Sequence, residues 1–314
     1  MVPIFNEAEA ILDFFSTIQR VFDSLEARKE IVFINDGSTD GSFETLLRLS
    51  TDCDFVKVVN LSRNFGKEAA MTAGLDIAAG DAIVMIDVDL QDPPELIETF
   101  LARWREGYDI VYGVRQSRLE DGRFRRWVAG KFYATFNRLS ETAIPANAGD
   151  FRLIDRRVVD ALKLLPERAR FFKGLAAWVG FSAVSVAFDR PSRRLGRSKW
   201  TYWKLWNFAI DAVASFSSVP LKVWSYVGGL IAMLAFLYGL FIIGRVVVTG
   251  RDMPGYASLI TVLLFSTGVQ MISLGMLGEY VSRVFLEAKQ RPIYLLEGVY
   301  AGGAPILSSL VARP

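Results

Sequence analysis

The chain has 314 residues, 52% of them hydrophobic and 22% charged, with a formal net charge of +2. That length allows one catalytic domain of roughly 200 residues plus a further, apolar part. Histidine is absent, which excludes a histidine general base, a Ser-His-Asp triad, phosphohistidine chemistry and His-ligated zinc. Cys53 is the single cysteine, so no intrachain disulfide or thiolate metal cluster forms, and a reducing compartment fits. Met1 opens straight into an apolar stretch with no basic n-region, so no secretion signal is expected.

The elements predicted from pattern alternate. Val2–Phe5 reads as a strand and Glu7–Phe22 as an amphipathic helix. Glu30–Ile34 is a strand that ends in the polar loop Asn35–Gly41, followed by a helix at Ser42–Leu49. Phe55–Leu61 is a strand, Lys67–Ala79 a helix and Ala82–Ile86 a strand. A helix from about Pro94 to Arg105 and a strand at Asp109–Val114 follow. Such alternation predicts an α/β domain with a mostly parallel sheet wound on both faces. No Gly-x-Gly-x-x-Gly follows the first strand, which disfavours a nicotinamide-dinucleotide fold, and no Walker A loop is present.

Further along, Trp203, Trp206, Ile210 and Val213 recur at helical spacing within Ser198–Val219. With Lys199, Lys204, Trp200 and Tyr202 this segment reads as an interfacial helix on a membrane surface, or as a helix packed on the catalytic domain. Tyr226–Gly244 and Pro254–Gly278 carry no charge, and each is long enough to cross a hydrocarbon core of about 30 Å. Arg190, Arg193, Arg194, Arg197, Lys199, Lys204 and Lys222 precede the first span. Arg283, Lys289 and Arg291 follow the second, whereas the turn between them has only Arg251, with Arg245 at its margin. The positive-inside rule then puts both termini and the large domain in the cytoplasm. The expected organisation is a catalytic domain at 1–190, a basic juxtamembrane segment at 191–222, two transmembrane helices at 223–283 and a cytoplasmic tail at 284–314.

The chemistry concentrates in Asp87-Val88-Asp89-Leu90-Gln91-Asp92-Pro93-Pro94, directly after the strand Ala82–Ile86. Carboxylates at the carboxyl end of an α/β strand sit where such sheets bind ligands. Alternate strand residues face the same way, so Asp87 and Asp89 converge on one cation, with Gln91 adding a neutral oxygen. Hard oxygen ligands suit Mg²⁺ or Mn²⁺ carrying a nucleotide diphosphate. A bare Asp-x-Asp is also an ordinary strand end, so the neighbouring loops matter. Asn6, Glu7 and Asp36 would face the same crevice, where carboxylates accept from ribose hydroxyls or a pyrimidine N–H; turn chemistry alone also accounts for Asp36-Gly37-Ser38. Arg63-Asn64-Phe65-Gly66-Lys67 sets two cations around a glycine before a helix, suited to phosphate or to a capped surface loop.

Eight stretches together resemble family 2 glycosyltransferases of the GT-A fold, in the polyprenyl-phosphate branch that includes bactoprenol glucosyltransferases and lies near dolichol-phosphate mannose synthase. They are Val2–Glu7, Asn35–Gly41, Leu61–Ala70, Asp87–Pro94, Tyr112–Arg115, Gly149–Leu153, Leu165–Arg168 and Gly196–Trp200; the two C-terminal spans match this branch as well. One departure is Asn35-Asp36 where the family usually has Asp-Asp, so only Asp36 is carried over. The chain also begins within what the family pattern makes strand one.

The resemblance implies a UDP-sugar, with glucose the expected sugar, held by Pro3, Glu7, Asp36, Lys67 and Asp87. It implies a Mg²⁺ or Mn²⁺ ion on Asp87, Asp89 and Gln91, and undecaprenyl phosphate as acceptor, with inversion at the sugar. Among the residues assigned to catalysis are Asp89 and Asp150, the latter orienting the acceptor or a sugar hydroxyl; a structural salt bridge to Arg152 or Arg156 is its alternative. Arg115, Arg126 and Lys199 are assigned to the phosphates, within a basic set that includes Arg118, Arg123, Arg125, Lys131 and Arg197. Plain attraction of such residues to anionic lipids is the competing account. The implied location is the bacterial inner membrane, with a lipid bilayer and no nucleic acid as partner. Gly228-Gly229 and Gly268 to Gly278 offer small-residue surfaces for helix packing, consistent with a homo-oligomer. Two other readings fit less well. A processive polysaccharide synthase usually carries Gln-x-x-Arg-Trp, whereas Arg123 stands three residues before Arg126-Trp127 here. An idle membrane scaffold of the same fold would not need intact Asp87, Asp89 and Gln91.

Overall fold

The computed structural model describes residues 1–115, 148–168, 170–188, 219–249 and 255–307. In chain order the elements are β1 (Val2–Ile4), α1 (Ala8–Ser24), β2 (Ile31–Asn35), α2 (Ser42–Asp52), β3 (Val56–Leu61), α3 (Lys67–Ile77), β4 (Ala82–Met85) and α4 (Leu96–Arg105). They continue with β5 (Ile110–Arg115), β6 (Ala148–Asp155), α5 (Arg156–Leu164), α6 (Phe172–Trp178), β7 (Ala183–Phe188), α7 (Val219–Thr249), α8 (Tyr256–Ala288), β8 (Leu296–Ala301) and β9 (Ala304–Leu307). The expected interfacial helix at Ser198–Val219 lies outside the described residues apart from Val219, the first residue of α7.

Apolar spacing explains the helices. In α1, Ile11, Phe14, Phe15, Ile18 and Val21 fall on one face and are all buried. The five residues of β2 are buried on both faces, as a strand between helical layers requires. Helix α3 is buried from Ala69 to Leu75. Its Gly74 lets the helix close on the sheet, because a Cβ there would overlap Met1 and Ile34.

The α/β class stands, and β1, β2 and β3 pair in parallel as the alternation implied. Beyond them the pairing is mixed rather than mostly parallel. One sheet has the order β1-β2-β3-β8-β9 and the other β4-β6-β5-β7. Strand β6 runs antiparallel to both β4 and β5, while β7 is parallel to β5. Two backbone bonds through Met1 join the sheets where β1 lies beside β4: Met1 N to Val84 O (2.8 Å) and Ile86 N to Met1 O (3.2 Å). The carboxyl ends of β1, β2, β3 and β4 therefore open on one crevice, whereas antiparallel β6 brings its amino end there.

Helices α7 and α8 contain apolar stretches long enough to cross a membrane, at Tyr226–Arg245 and Ser258–Ala288, and their side chains are not covered by the rest of the chain. The chain then returns. Strand β8 pairs antiparallel with β3, in the register Val59↔Val299, and β9 pairs with β8. The segment expected as a tail thus supplies two strands to the catalytic sheet.

Val299 is 1% exposed. Val299→Asp should lower domain stability by about 3–5 kcal/mol, the scale for an uncompensated buried charge, as read from chemical unfolding in detergent. An unchanged midpoint would mean that β8 is not part of the folded domain.

Candidate active site

The loops after β1 and β2 interlock. Asn6, at φ +53, accepts from Thr39 N through its Oδ1 (2.8 Å), and its own N–H donates to Ser38 Oγ (3.0 Å). Glu7 N donates to Ser42 Oγ (3.1 Å). Pro3 lies within β1 opposite Ile34, and Glu7 follows the carboxyl end of that strand.

Asp36 is almost fully buried, and both its oxygens are engaged. Oδ1 accepts from Phe65 N at 2.7 Å and Oδ2 from Gly66 N at 2.9 Å. Burial pushes its carboxyl pKa up, against the pull of these two N–H groups and of Arg63. Gly37, at φ +65, packs so closely that a Cβ would overlap the backbone of Arg63 and Asn64. In this arrangement Asp36 pins the loop Arg63–Gly66, and Gly66 at φ +97 launches α3.

Lys67 is the first residue of α3, and its ammonium stands between two carboxylates. It lies 2.7 Å from Asp87 Oδ1, 2.8 Å from Asp87 Oδ2 and 2.7 Å from Asp150 Oδ2. The register explains the meeting. Met85 pairs with Arg152 across β4 and β6, so two residues further along, Asp87 and Asp150 face each other. Lys173 of α6 reaches Asp150 Oδ1 at 3.2 Å. The result is an alternating ionic row: Asp87, Lys67, Asp150, Lys173.

Burial alone would raise the Asp150 pKa, but Lys173 and Lys67, with Arg152 behind them, hold it well below the ordinary carboxylate range. Burial opposes the Lys67 charge, yet Asp87 and Asp150 outweigh it and raise that ammonium above the usual lysine range. Arg152 donates to Gly149 O (2.8 Å), and Arg156 donates to Ala78 O and Gly80 O. Among the described residues, the salt-bridge partners of Asp150 are the two lysines. Glu68, next along α3, accepts from Phe172 N at 2.9 Å. Burial first, and then the charge of Asp150, push its pKa from 4.5 to about 7.

Asp89 and Gln91 lie in the turn after β4. Asp89 Oδ1 accepts from Gln91 N at 3.2 Å, Leu90 sits at φ +53, and Gln91 is buried. Among the described residues no three acidic or cysteine side chains stand close enough to hold a metal alone. The oxygen-only set of Asp87, Asp89 and Gln91 still suits Mg²⁺ or Mn²⁺, which use one or two carboxylates and take their remaining ligands from substrate phosphates and water. Arg115 closes β5, its backbone in register with Phe188. Arg126 and Lys199 lie outside the described residues, as do Arg118, Arg123, Arg125, Lys131 and Arg197.

Lys173 and Glu68 were not foreseen. Lys173 stands in an otherwise apolar helix, far along the chain from Asp87, and only packing brings it to the row. Glu68 looks like an ordinary first-turn helix acid.

A carboxylate crevice at the ends of parallel strands, on a domain bonded to a hairpin of apolar helices, defines a GT-A glycosyltransferase with a membrane-length C-terminal hairpin. The comparisons agree. The family described as glycosyl transferase family 2 matches residues 1–163, and the GtrB C-terminal hairpin matches residues 219–284. The chain belongs to glycosyl transferase family 2. It is 49% identical to an uncharacterized glycosyltransferase of Synechocystis over 96% of this chain and 94% of that one. It is 45% identical to the prophage-derived bactoprenol glucosyl transferase of Shigella flexneri over 96% of this chain and 98% of that one. Among solved structures, the glucosyl-3-phosphoglycerate synthase of Mycobacterium tuberculosis, in complex with Mn²⁺, UDP and phosphoglyceric acid, shares the fold. That match has a TM-score of 0.50 and 20% identity, over 68% of this chain and 74% of that one.

A raised carboxyl pKa means that the native state binds more protons than the unfolded one between pH 4.5 and about 7. The stability that Glu68 contributes is complete below 4.5 and is lost as pH rises through about 7. Asp150, held low, acts in the opposite sense and only below its ordinary value of 3.8, so the two windows do not overlap. Glu68→Gln should therefore gain stability relative to the parent as pH rises from 4.5 to 7, read as a difference between thermal midpoints. A flat difference would show that Glu68 does not titrate in that window.

Proposed function

We propose that the protein transfers glucose from UDP-glucose to undecaprenyl phosphate at a membrane surface, with inversion at the sugar. The row of Asp87, Lys67, Asp150 and Lys173, set in the crevice of a domain bonded to a membrane-length hairpin, carries this reading. Near-full-length likeness to proteins named bactoprenol glucosyl transferases supports the choice of sugar and lipid.

The chemistry suits a chain without histidine. A phosphate monoester has a second pKa near 6, so the acceptor is largely dianionic at neutral pH. It attacks the anomeric carbon without a strong general base, and UDP leaves. The protein's task is to orient and neutralise two phosphorylated reactants that repel each other. Pro3 and Glu7 line the nucleotide side of the crevice, and Asp36 acts there by holding the 63–66 loop in place. Lys67 and Lys173 provide positive charge beside Asp150, which orients the acceptor or a sugar hydroxyl. Mg²⁺ or Mn²⁺, held by Asp89, Gln91 and Asp87, would offset the negative charge of the leaving diphosphate. Arg115, Arg126 and Lys199 are assigned to the phosphates of donor and lipid.

In this reading residues 1–190, joined by the returning strands at 296–307, form the catalytic domain, 191–222 the juxtamembrane segment and 223–283 the two membrane helices. The return of residues 296–307 to the catalytic sheet brings the chain that leaves α8 back to the domain. Together with the charge bias of the flanks, this supports a cytoplasmic domain and a bacterial inner-membrane location.

The assay counts label passing from UDP-glucose, UDP-galactose, UDP-N-acetylglucosamine or GDP-mannose into the organic phase with undecaprenyl phosphate. Transfer is expected from UDP-glucose and should be lost on chelation. Asp89→Ala should reduce it by about 100-fold or more, the scale for losing one preorganised charge stabiliser, with an unchanged unfolding midpoint. Parental turnover by Asp89→Ala at saturating Mn²⁺ would remove Asp89 from the metal site.

A further inference from the structure

Helix α8 does not stop where its uncharged stretch ends. Glu279–Ala288 continues it past Gly278, a rise of about 15 Å at 1.5 Å per residue. This part carries Glu279, Arg283 and Glu287, with Arg283 Nη2 3.1 Å from Glu279 Oε1. It forms a charged end to the helix beyond the uncharged stretch. After Lys289 the chain leaves the helix axis at Gln290, whose φ of +47 is the left-handed conformation of a helix-ending turn. It is then stitched to the catalytic domain: Tyr294 Oη donates to Asp76 Oδ2 (2.8 Å), Ser62 N to Leu295 O (3.0 Å) and Asn60 Nδ2 to Glu297 Oε2 (2.8 Å).

Arg168 bridges that turn. Before it, Glu287 Oε1 accepts from the Arg168 backbone N–H at 2.8 Å, and Glu287 Oε2 lies 3.6 Å from Arg168 Nη1. After it, Arg291 O accepts from Arg168 Nε at 2.7 Å. A planar guanidinium with its donors in a fixed fork suits this two-sided hold, which a lysine would not reproduce. The loop that presents Arg168 is folded by Arg170, which donates to Leu165 O (2.7 Å) and Glu167 O (3.2 Å). A few residues on, Phe172 N meets Glu68 and Lys173 meets Asp150. One short segment thus touches both the tip of the membrane helix and the acid at the site.

We infer that Arg168 is a positioning residue: it splints the joint between α8 and the catalytic domain, and so sets the height and tilt of the Asp150 row over the membrane. The inference rests on the acceptor being a polyprenyl phosphate held in the bilayer. A lipid-anchored phosphate meets the donor only where the membrane presents it, and misplacement by about 1 Å can cost up to about 100-fold in rate. A nucleotide sugar diffuses freely and is indifferent to that height. Loosening the joint therefore affects the long-chain acceptor alone.

The test uses the full-length protein in phospholipid vesicles, comparing undecaprenyl phosphate with a short-chain, water-soluble prenyl phosphate. Arg168→Ala and Glu287→Ala should each raise the apparent KM for undecaprenyl phosphate about tenfold, within the range that misplacement produces. The KM for UDP-glucose and the rate with the short-chain acceptor should stay at parental values. Glu287→Gln, which keeps an oxygen for the Arg168 N–H, should stay close to parental with both acceptors. If Arg168→Ala fails to fold, Glu287→Ala decides by the same ratio. Equal losses with the two acceptors, or no change with either, would overturn the inference while the functional reading stands. A parental protein that transfers to neither acceptor would overturn both.

Discussion

The Lys67 ammonium, wedged between Asp87 and Asp150, is the contact on which the crevice depends. Two carboxylates brought face to face by the β4/β6 register would repel, and the lysine turns that repulsion into a bridge. Its side chain is 38% exposed and the two acids 33% and 31%. The pairs therefore lie between exposed ones, worth about 0–1 kcal/mol, and buried ones, which cost about 3–5 kcal/mol to break by removing one partner. Lys173 extends the row and Glu68 ties it to α6. The strand that positions the metal motif, the helix that starts at the glycine loop and the segment reaching the charged end of α8 all meet there.

Placement of Lys67 depends in turn on Asp36. With both oxygens committed to the N–H groups of Phe65 and Gly66, this buried carboxylate sets where α3 begins. The close contact at Gly37 leaves no room there for a side chain. In the proposed function, nucleotide recognition at this end of the sheet would be a property of a braced loop rather than of one acid. The membrane portion follows a similar logic, since β8 and the Arg168 turn anchor the hairpin to the same sheet that forms the crevice.

Much of the design was legible along the chain. Asp87 and Asp89 stood out because they end a short apolar strand and share the chain with several other matching loops, and the uncharged spans of α7 and α8 need no tertiary knowledge. Asp36 was legible as important but not in its role, because a turn acid and a ligand-binding acid look alike until the donors are placed. Local sequence suits Lys67 equally to phosphate or to a capped surface loop, and nothing in it signals the two carboxylate partners. Strand β8 was hidden for a different reason: Leu296–Ala301 is short, lies beyond the hairpin, and pairs with a strand far back in the chain.

Composition, periodicity and local motif were set by the sequence alone: an α/β catalytic domain without histidine, a hard-oxygen motif at a strand end and two membrane-length helices. These follow from side-chain chemistry and from repeats of 2 and 3.6 residues, which act within a few neighbours. Tertiary structure decided the register that sets Asp87 opposite Asp150, the mixed sheet, the arrival of Lys173 and the clasp of Arg168 on Glu287. Each joins residues distant in sequence, and pairing across such distances is chosen by packing and by strand direction, for which no local pattern carries a signal.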